Sequence, residues 1–265
     1  MTASTSQQRT PLAELLDLTG RTAVVTGGAM GIGLGIARRL HEAGANLLVA
    51  DVDEAAAQSV ATDLVAARPG SALAIRSDVS DEESVRQMVR AAVESFGGID
   101  ILVNNAGIYP MVPLADLDVA TFRRVLDVNL TGLFLCTKHA SARMIEQGRG
   151  GRIVNVTSID ALHPSMVGLS HYDASKHGAW GFTKNVALDL APHGIWVNAV
   201  APGGITTPGT GEMDEASMRA FEAIIPMGRM GEPDDIGRAV LFLASELSNY
   251  MTGSQIVVDG GRLLA

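Results

Sequence analysis

A chain of 265 residues, 47% hydrophobic and 18% charged, has the apolar material for a sizeable core and the polar residues to cover it, which points to a folded globular protein. Its net charge of −9 argues against general affinity for nucleic acid or an anionic membrane, and its basic residues stand singly or in pairs such as Arg38-Arg39 and Arg123-Arg124. The one cysteine, Cys136, excludes an intrachain disulfide and a thiolate cluster, and the six histidines show no HExxH-type spacing, so no metal centre is expected.

Met1 to Pro11 are polar, without the apolar core of a signal sequence, and no stretch reaches the ~20 apolar residues of a membrane span. A flexible extension over residues 1–17 and a cytoplasmic location are therefore expected, with room for one short amphipathic turn between Pro11 and Thr19. Arg21 to Thr26 is an apolar, β-branched run that reads as a strand. It leads into Thr26-Gly-Gly-Ala-Met-Gly-Ile-Gly33 and then a helical pattern from Leu34 to Ala43. A strand, a glycine-rich turn and a helix in that order make a phosphate-binding element, because glycines admit a pyrophosphate close to the backbone and a helix N-terminus offers free N–H groups. Gly27, Met30, Gly31, Ile32 and Gly33 are the candidates; a tight turn without a ligand is the alternative.

The next apolar run, Asn46 to Ala50, ends in Asp51. An acidic side chain at the end of the second strand of a dinucleotide fold accepts hydrogen bonds from the adenosine ribose and repels a 2′-phosphate, so NAD is preferred over NADP. Asp51 also stands where it can cap the helix that follows. A third strand, Ala72 to Arg76, ends in Ser77-Asp78-Val79 and is followed by a helix from Ser80 to Phe96; a fourth, Ile99 to Val103, ends in Asn104-Asn-Ala-Gly107. This alternation implies βαβ units and a parallel sheet, whose ligands bind outside the carboxyl ends of the strands, where all these polar turns fall.

One long helical segment is predicted from Asp116 to Ile145. It carries Cys136 in an apolar stretch, read as buried packing, and Asn129, either a satisfied core amide or a functional group that bends the helix. Arg152 to Thr157 reads as a buried strand ending at Ser158, whose hydroxyl is placed to bond a substrate oxygen. Tyr172 and Lys176 follow at a spacing that puts both on one face of a helix. A lysine cation beside a phenol favours the phenolate, so the tyrosine pKa is expected to fall toward the working range; the spacing alone also arises as a chance helical pair. Gly194 to Ala201 supplies another strand, ending in Pro202-Gly203. Residues 204–225, with acidic Glu212, Asp214 and Glu215, read as a mobile lid or a surface excursion. A helix from Pro233 to Ser245 and a strand from Gln255 to Val258 precede Asp259-Gly-Gly261.

With these stretches placed, the chain resembles the short-chain dehydrogenase/reductase family from about Leu18 to Gly261. The matching residues are TGGAMGIG at Thr26 to Gly33, DV at Asp78, NNAG at Asn104 to Gly107, Asn129, Ser158 and YDASK at Tyr172 to Lys176. PG at Pro202 with Ile205 and Thr207, GRMGEPDDIG at Gly228 to Gly237 and TGSQIVVDGG at Thr252 to Gly261 complete the match. The resemblance implies a doubly wound α/β (Rossmann) domain over residues 18–265 and a catalytic tetrad of Asn129, Ser158, Tyr172 and Lys176. In that tetrad Tyr172 is the acid or base, Ser158 positions the reacting oxygen, Lys176 also holds the nicotinamide ribose, and Asn129 supports a water relay. It also implies that Asp78 and Val79 flank the adenine, that Asn105, Ala106 and Gly107 line the cofactor, and that Pro202, Gly203, Ile205 and Thr207 lie at the nicotinamide. Hydride exchange between a substrate carbon and the nicotinamide is the cofactor's chemistry.

The interval from Ser158 to Tyr172 is one residue longer than is common in the family, and it carries Asp160, His163 and His171. These are candidates for binding a hydroxylated substrate, or ordinary loop polarity. With the acidic lid, they point to NAD-dependent exchange between a secondary alcohol and its ketone, the substrate a polar alcohol, sugar or polyol. The alternatives are a 3-oxoacyl thioester reductase and, from another class, a non-catalytic dinucleotide-sensing regulator. The family is usually homotetrameric, which sets the expectation here.

Overall fold

The apolar runs form seven parallel strands: β1 (Thr22–Thr26), β2 (Asn46–Asp51), β3 (Ala72–Arg76), β4 (Ile101–Asn104), β5 (Gly151–Val156), β6 (Ile195–Pro202) and β7 (Gln255–Val258). Their order across the one sheet is β3-β2-β1-β4-β5-β6-β7, all neighbours parallel. The computed structural model describes residues 9–209 and 214–265. Strands buried on both faces need no polar alternation, and β1 and β4 are accordingly buried along their whole length. Side chains alternate between faces with period two, so Ala23, Val25, Leu47 and Val49 join one core cluster while Val24 and Leu48 join the other.

Helices α2 (Gly31–Glu42), α3 (Glu54–Ala67) and α9 (Pro233–Ala244) cover the first face, and α4 (Glu82–Phe96), α6 (Gly132–Gln147) and α7 (Ser170–Leu190) cover the second. The remaining helices are α1 (Leu12–Leu16), α5 (Val119–Leu126) and α8 (Glu215–Ala223). Glycines set how closely α2 and α9 cross: a Cβ on Gly35 would meet the Pro233 carbonyl carbon at 2.6 Å, and one on Gly237 the Gly35 oxygen at 2.8 Å. An Arg39–Asp234 ion pair ties the same two helices. Cys136 is buried, and burial pushes its thiol up to about 12, so it packs and does not react.

The short turn allowed between Pro11 and Thr19 is α1, and Leu18 behind it is buried with its N–H on the Ala43 carbonyl at 2.7 Å. Two local expectations are revised. Helix α4 starts at Glu82 and not Ser80, because Asp81 caps it while Ser80 is held by Asp78 Oδ1. The single helix expected over Asp116 to Ile145 is three pieces, α5, a π-helical turn at Asp127–Thr131, and α6. Asn129 sits in that π turn, where the widened backbone aims its amide away from the helix at a neighbouring loop.

Candidate active site

A cavity of about 940 Å³ opens at the carboxyl ends of the strands, spanning the point where strand order reverses between β1 and β4. Its floor is the glycine loop. Gly27 and Gly31 have φ of +60° and +51°, a region that costs any residue with a Cβ. The Met30 side chain makes no cap bond, which leaves the first-turn N–H groups of α2 for an anion. Asn105 locks the loop: its Nδ2 donates to the Thr26 and Gly27 carbonyls at 3.0 and 2.9 Å, and Thr26 Oγ1 accepts from the Asn105 and Ala106 N–H groups.

Asp51, 7% exposed, lines the cavity at the end of β2. Oδ2 accepts from the Ala29 N–H at 3.0 Å and Oδ1 from the Asp53 N–H at 3.1 Å, so the carboxylate is held against the glycine loop. Helix α3 is capped by Asp53 instead, which removes capping as the reason for Asp51. Val79 lies against Gly132, where a Cβ would come within 2.7 Å of its Cγ2. Every residue read from the sequence as cofactor-binding lines this one cavity, from Gly27 through Asp78 and Gly107 to Pro202, Gly203, Ile205 and Thr207. The glycine cradle, an open helix N-terminus and an acid at the end of β2 fit a dinucleotide.

The chemical groups lie toward β5 and α7. Tyr172 and Lys176 are one helical turn apart, with Lys176 Nζ 5.5 Å from the centre of the tyrosine ring. Nζ donates to the Val156 carbonyl at 2.8 Å, and desolvation lowers the buried ammonium to about 8. Burial also raises the Tyr172 phenol above its ordinary value, while a hydrogen bond with Ser158 opposes the rise. The expected fall in the tyrosine pKa is thus not met by these residues alone: the cost of desolvating a phenolate outweighs the nearby lysine. Asn129, 2% exposed, grips Ile108 from both sides, accepting from its N–H at 2.8 Å and donating to its carbonyl at 2.9 Å, and donates to Ser175 Oγ at 3.1 Å. A cavity of about 10 Å³ lies between Asn104, Asn129, Val156 and Lys176, room for about one water.

A family model described as Enoyl-(Acyl carrier protein) reductase matches residues 27–262. Over 250 residues the chain is 39% identical to L-rhamnose 1-dehydrogenase (NAD(P)(+)) of Azotobacter vinelandii, taking in 92% of this chain and 97% of that one. It is 43% identical over 242 residues to cis-4-hydroxycyclohexanecarboxylate dehydrogenase of Sinomonas cyclohexanicum, 91% of this chain and 96% of that one. The crystal structure of a short-chain type dehydrogenase/reductase from Mycobacterium marinum superposes with a TM-score of 0.90 at 41% identity, covering 96% of this chain and 100% of that one. The chain belongs to the short-chain dehydrogenase/reductase family. As a member it is an NAD(P)-dependent oxidoreductase acting on alcohols.

Within this short-chain dehydrogenase/reductase, the candidate substrate residues divide. Asp160 and His163 line the cavity. His171 does not: it is fully buried, with Nε2 2.9 Å from the Pro110 carbonyl, so it braces the 110 loop and is withdrawn as a substrate ligand. The acidic lid is also revised. Asp214 caps α8 and Glu215 pairs with Arg219, both outside the cavity lining, and Glu212 lies outside the described residues. Among its described residues the segment contributes apolar Phe221 and Ile224 to the cavity, beside Ile205, Thr207 and the residues next to them.

Sequence reasoning missed the rest of the wall. Tyr109 stands edge-on to Tyr172 with ring centres 6.0 Å apart, and Met166, Leu169, Arg262 and Leu263 are among the other lining residues. Arg262 and Leu263 follow the Gly260-Gly261 turn, which Asp259 holds by accepting from the Gly261 and Leu263 N–H groups at 2.8 and 2.9 Å. Nothing in their spacing signals a site.

Proposed function

We propose that this protein is an NAD-dependent dehydrogenase that oxidises a secondary alcohol borne on a ring to the ketone. The carrying observation is the apolar share that the lining has beyond the glycine loop, Ile159, Pro164, Met166, Leu169, Phe221 and Leu263, in the cavity that also holds Ser158 and Tyr172. Such a surface receives a compact apolar body and leaves an open-chain polyol's hydroxyls unpaired, at a cost of about 1–3 kcal/mol each. Relatives named for a sugar and for a hydroxycyclohexanecarboxylate support a cyclic alcohol.

In this reading a bound NAD supplies a hydride-accepting carbon and a positive nicotinamide ring. Gly31, Ile32 and Gly33 hold its phosphates by backbone N–H groups, and Asp51 holds its adenosine ribose. Tyr172 takes the hydroxyl proton of the alcohol while Ser158 holds the same oxygen, and the proton leaves past Lys176 and Asn129 through the small cavity. Exposed Phe122 and Phe134 on α5 and α6 support a homotetramer, which sedimentation equilibrium tests. No helix among the described residues is long and apolar enough to cross a membrane, and a cytoplasmic location belongs to the proposal.

The test is a screen of cyclic secondary alcohols, sugars and open-chain polyols with NAD and NADP, followed by nicotinamide absorbance. Cyclic alcohols with NAD are expected to lead; open-chain polyols ahead of every cyclic alcohol would overturn the ring assignment. The description of the matching family model favours a second reading, an acyl thioester reductase. NADPH-dependent reduction of acetoacetyl thioesters without alcohol oxidation would select it.

Asp51 carries its own prediction. The cavity's described cations are Arg124, Lys176 and Arg262, and the neighbours of Asp51 in the lining are Val52 and Asp53, so nothing adjacent in sequence offers a counter-charge to a 2′-phosphate. NAD is expected to be favoured over NADP in kcat/KM by about tenfold or more, and Asp51→Ala to erase most of that ratio by removing a like-charge contact. An unchanged ratio in the variant would remove Asp51 from cofactor selection.

A further inference from the structure

A carboxylate stands in the wall beside the reacting position, and it touches Ser158. Ser158 Oγ donates to Asp160 Oδ2 at 3.0 Å, and the Asp160 N–H donates back to the same Oγ at 3.1 Å. Asp160 sits in a short 3-10 turn, Ile159–Ala161, that follows β5, so its carboxylate is fixed by backbone and not by a long flexible stem. Its other oxygen, Oδ1, has no hydrogen-bond partner among the described residues, yet it is not one of the unpartnered atoms sealed from solvent. With Asp160 lining the cavity, that oxygen opens into it. That oxygen is therefore open to accept a hydrogen bond from a ligand hydroxyl.

We propose that Asp160 binds a second hydroxyl on the carbon next to the reacting carbinol, which makes the substrate class a cyclic vicinal diol. The inference rests on the ring-alcohol reading above and deepens it. Ser158 Oγ, which holds the reacting oxygen, and Asp160 Oδ2 are a hydrogen bond apart, and gauche oxygens on adjacent ring carbons are spaced much the same. One oxygen of the diol therefore reaches Ser158 and Tyr172 while its neighbour donates to Asp160.

The bond has a second effect. A serine hydroxyl has one hydrogen, and in the ligand-free site Asp160 holds it. A diol hydroxyl donating to the carboxylate weakens that hold, which frees the Ser158 hydrogen to turn to the reacting oxygen. The neighbouring hydroxyl thus helps to ready the serine as well as anchoring the ring. Asp160→Ala keeps the backbone N–H bond to Ser158 Oγ, so the serine stays in place while the carboxylate is removed.

The experiment compares 1,2-cyclohexanediol, as both isomers, with cyclohexanol. Turnover is measured with NAD, and binding without turnover by calorimetric titration of each alcohol into the enzyme saturated with NADH. Wild type is expected to favour at least one diol isomer by about tenfold or more in kcat/KM and in the dead-end complex, the worth of a hydrogen bond to a charged group. In Asp160→Ala the diol-to-cyclohexanol ratio is expected to fall to near one, with Asp160→Asn between the two. A diol no better than cyclohexanol in wild type overturns the proposal and leaves the ring-alcohol reading standing. Equal losses for both alcohols in Asp160→Ala overturn it too, since they mark a structural role. Diol preference in the dead-end complex that depends on Asp160, without oxidation of any ring alcohol, keeps the subsite and rejects the dehydrogenase reading.

Discussion

Tyr172→Phe is expected to lower kcat about a thousandfold, within the span typical of general acid–base groups, while folding and dinucleotide affinity persist. The substitution removes the phenol oxygen and with it the hydrogen bond to Ser158. The ring's edge contact with Tyr109, at 6.0 Å between centres, and its place over Lys176, 5.5 Å from Nζ, are both kept by phenylalanine. Steady-state rates combined with NADH fluorescence titration separate loss of chemistry from loss of binding. Retention of more than about a tenth of wild-type kcat would take the proton-transfer role away from Tyr172. The same pair of measurements addresses a non-catalytic sensor: wild type that binds NADH and turns over no alcohol or ketone would have to be one.

The charge states give this prediction a pH sign. Burial raises the Tyr172 phenol, so around neutral pH it carries its proton, and alcohol oxidation is expected to quicken as pH rises and that proton leaves. Lys176, lowered to about 8 by its own burial, loses its charge below the pH at which the raised phenol loses its proton, and so withdraws its support for the phenolate while the rate is still climbing. The expected oxidation profile therefore rises from neutrality and levels off, and replacing Lys176 by methionine should shift the rise to higher pH. A flat profile would contradict the assignment of Tyr172 as the base.

Gly33→Ala is expected to be the most damaging small substitution in the chain. Its Cβ would overlap the Gly27 carbonyl oxygen and lie 2.6 Å from Asn105 Nδ2, so there is no flexible side chain to move aside. The loop must open, breaking the 2.9 Å bond from Asn105 to the Gly27 carbonyl that ties the two polar turns together. Stability is expected to fall by about 3 kcal/mol or more and NADH affinity by about a hundredfold, as for other overpacked or strained sites. Gly181→Ala is the matched control: it lies in α7 with nothing within 4 Å of its Cβ and without a positive φ. There the substitution should stabilise by about 1 kcal/mol, the helix-propensity difference. Urea denaturation of both variants checks the contrast, and a mild effect at Gly33 would show that the loop is looser than its contacts imply.

Much of this molecule is local and could be read before folding. Apolar runs of five or six residues alternating with helical patterns fix a parallel sheet, because strands covered on both faces need no polar alternation. The glycine loop, Asp51 at the end of β2, and Tyr172 and Lys176 at one helical turn are all short-range patterns whose geometry follows from strand, turn and helix periodicity. What the tertiary structure decided depends on residues far apart in sequence. Asn129 became a clamp only because its π turn meets Ile108, which no helical spacing announces. Phe221, Ile224, Arg262 and Leu263 became cavity wall only because residues far along the chain return to the mouth of the sheet. The Tyr172 pKa moved opposite to the expectation from its neighbour Lys176, because desolvation is a property of the whole packed surroundings and not of one pair. By itself the sequence determined the fold class, the glycine loop after β1 and the placing of Tyr172 and Lys176 one turn apart on one helix. Packing decided what surrounds that pair, His171 turned inward and Asp160 facing the cavity, since burial and close approach exist only after distant segments meet.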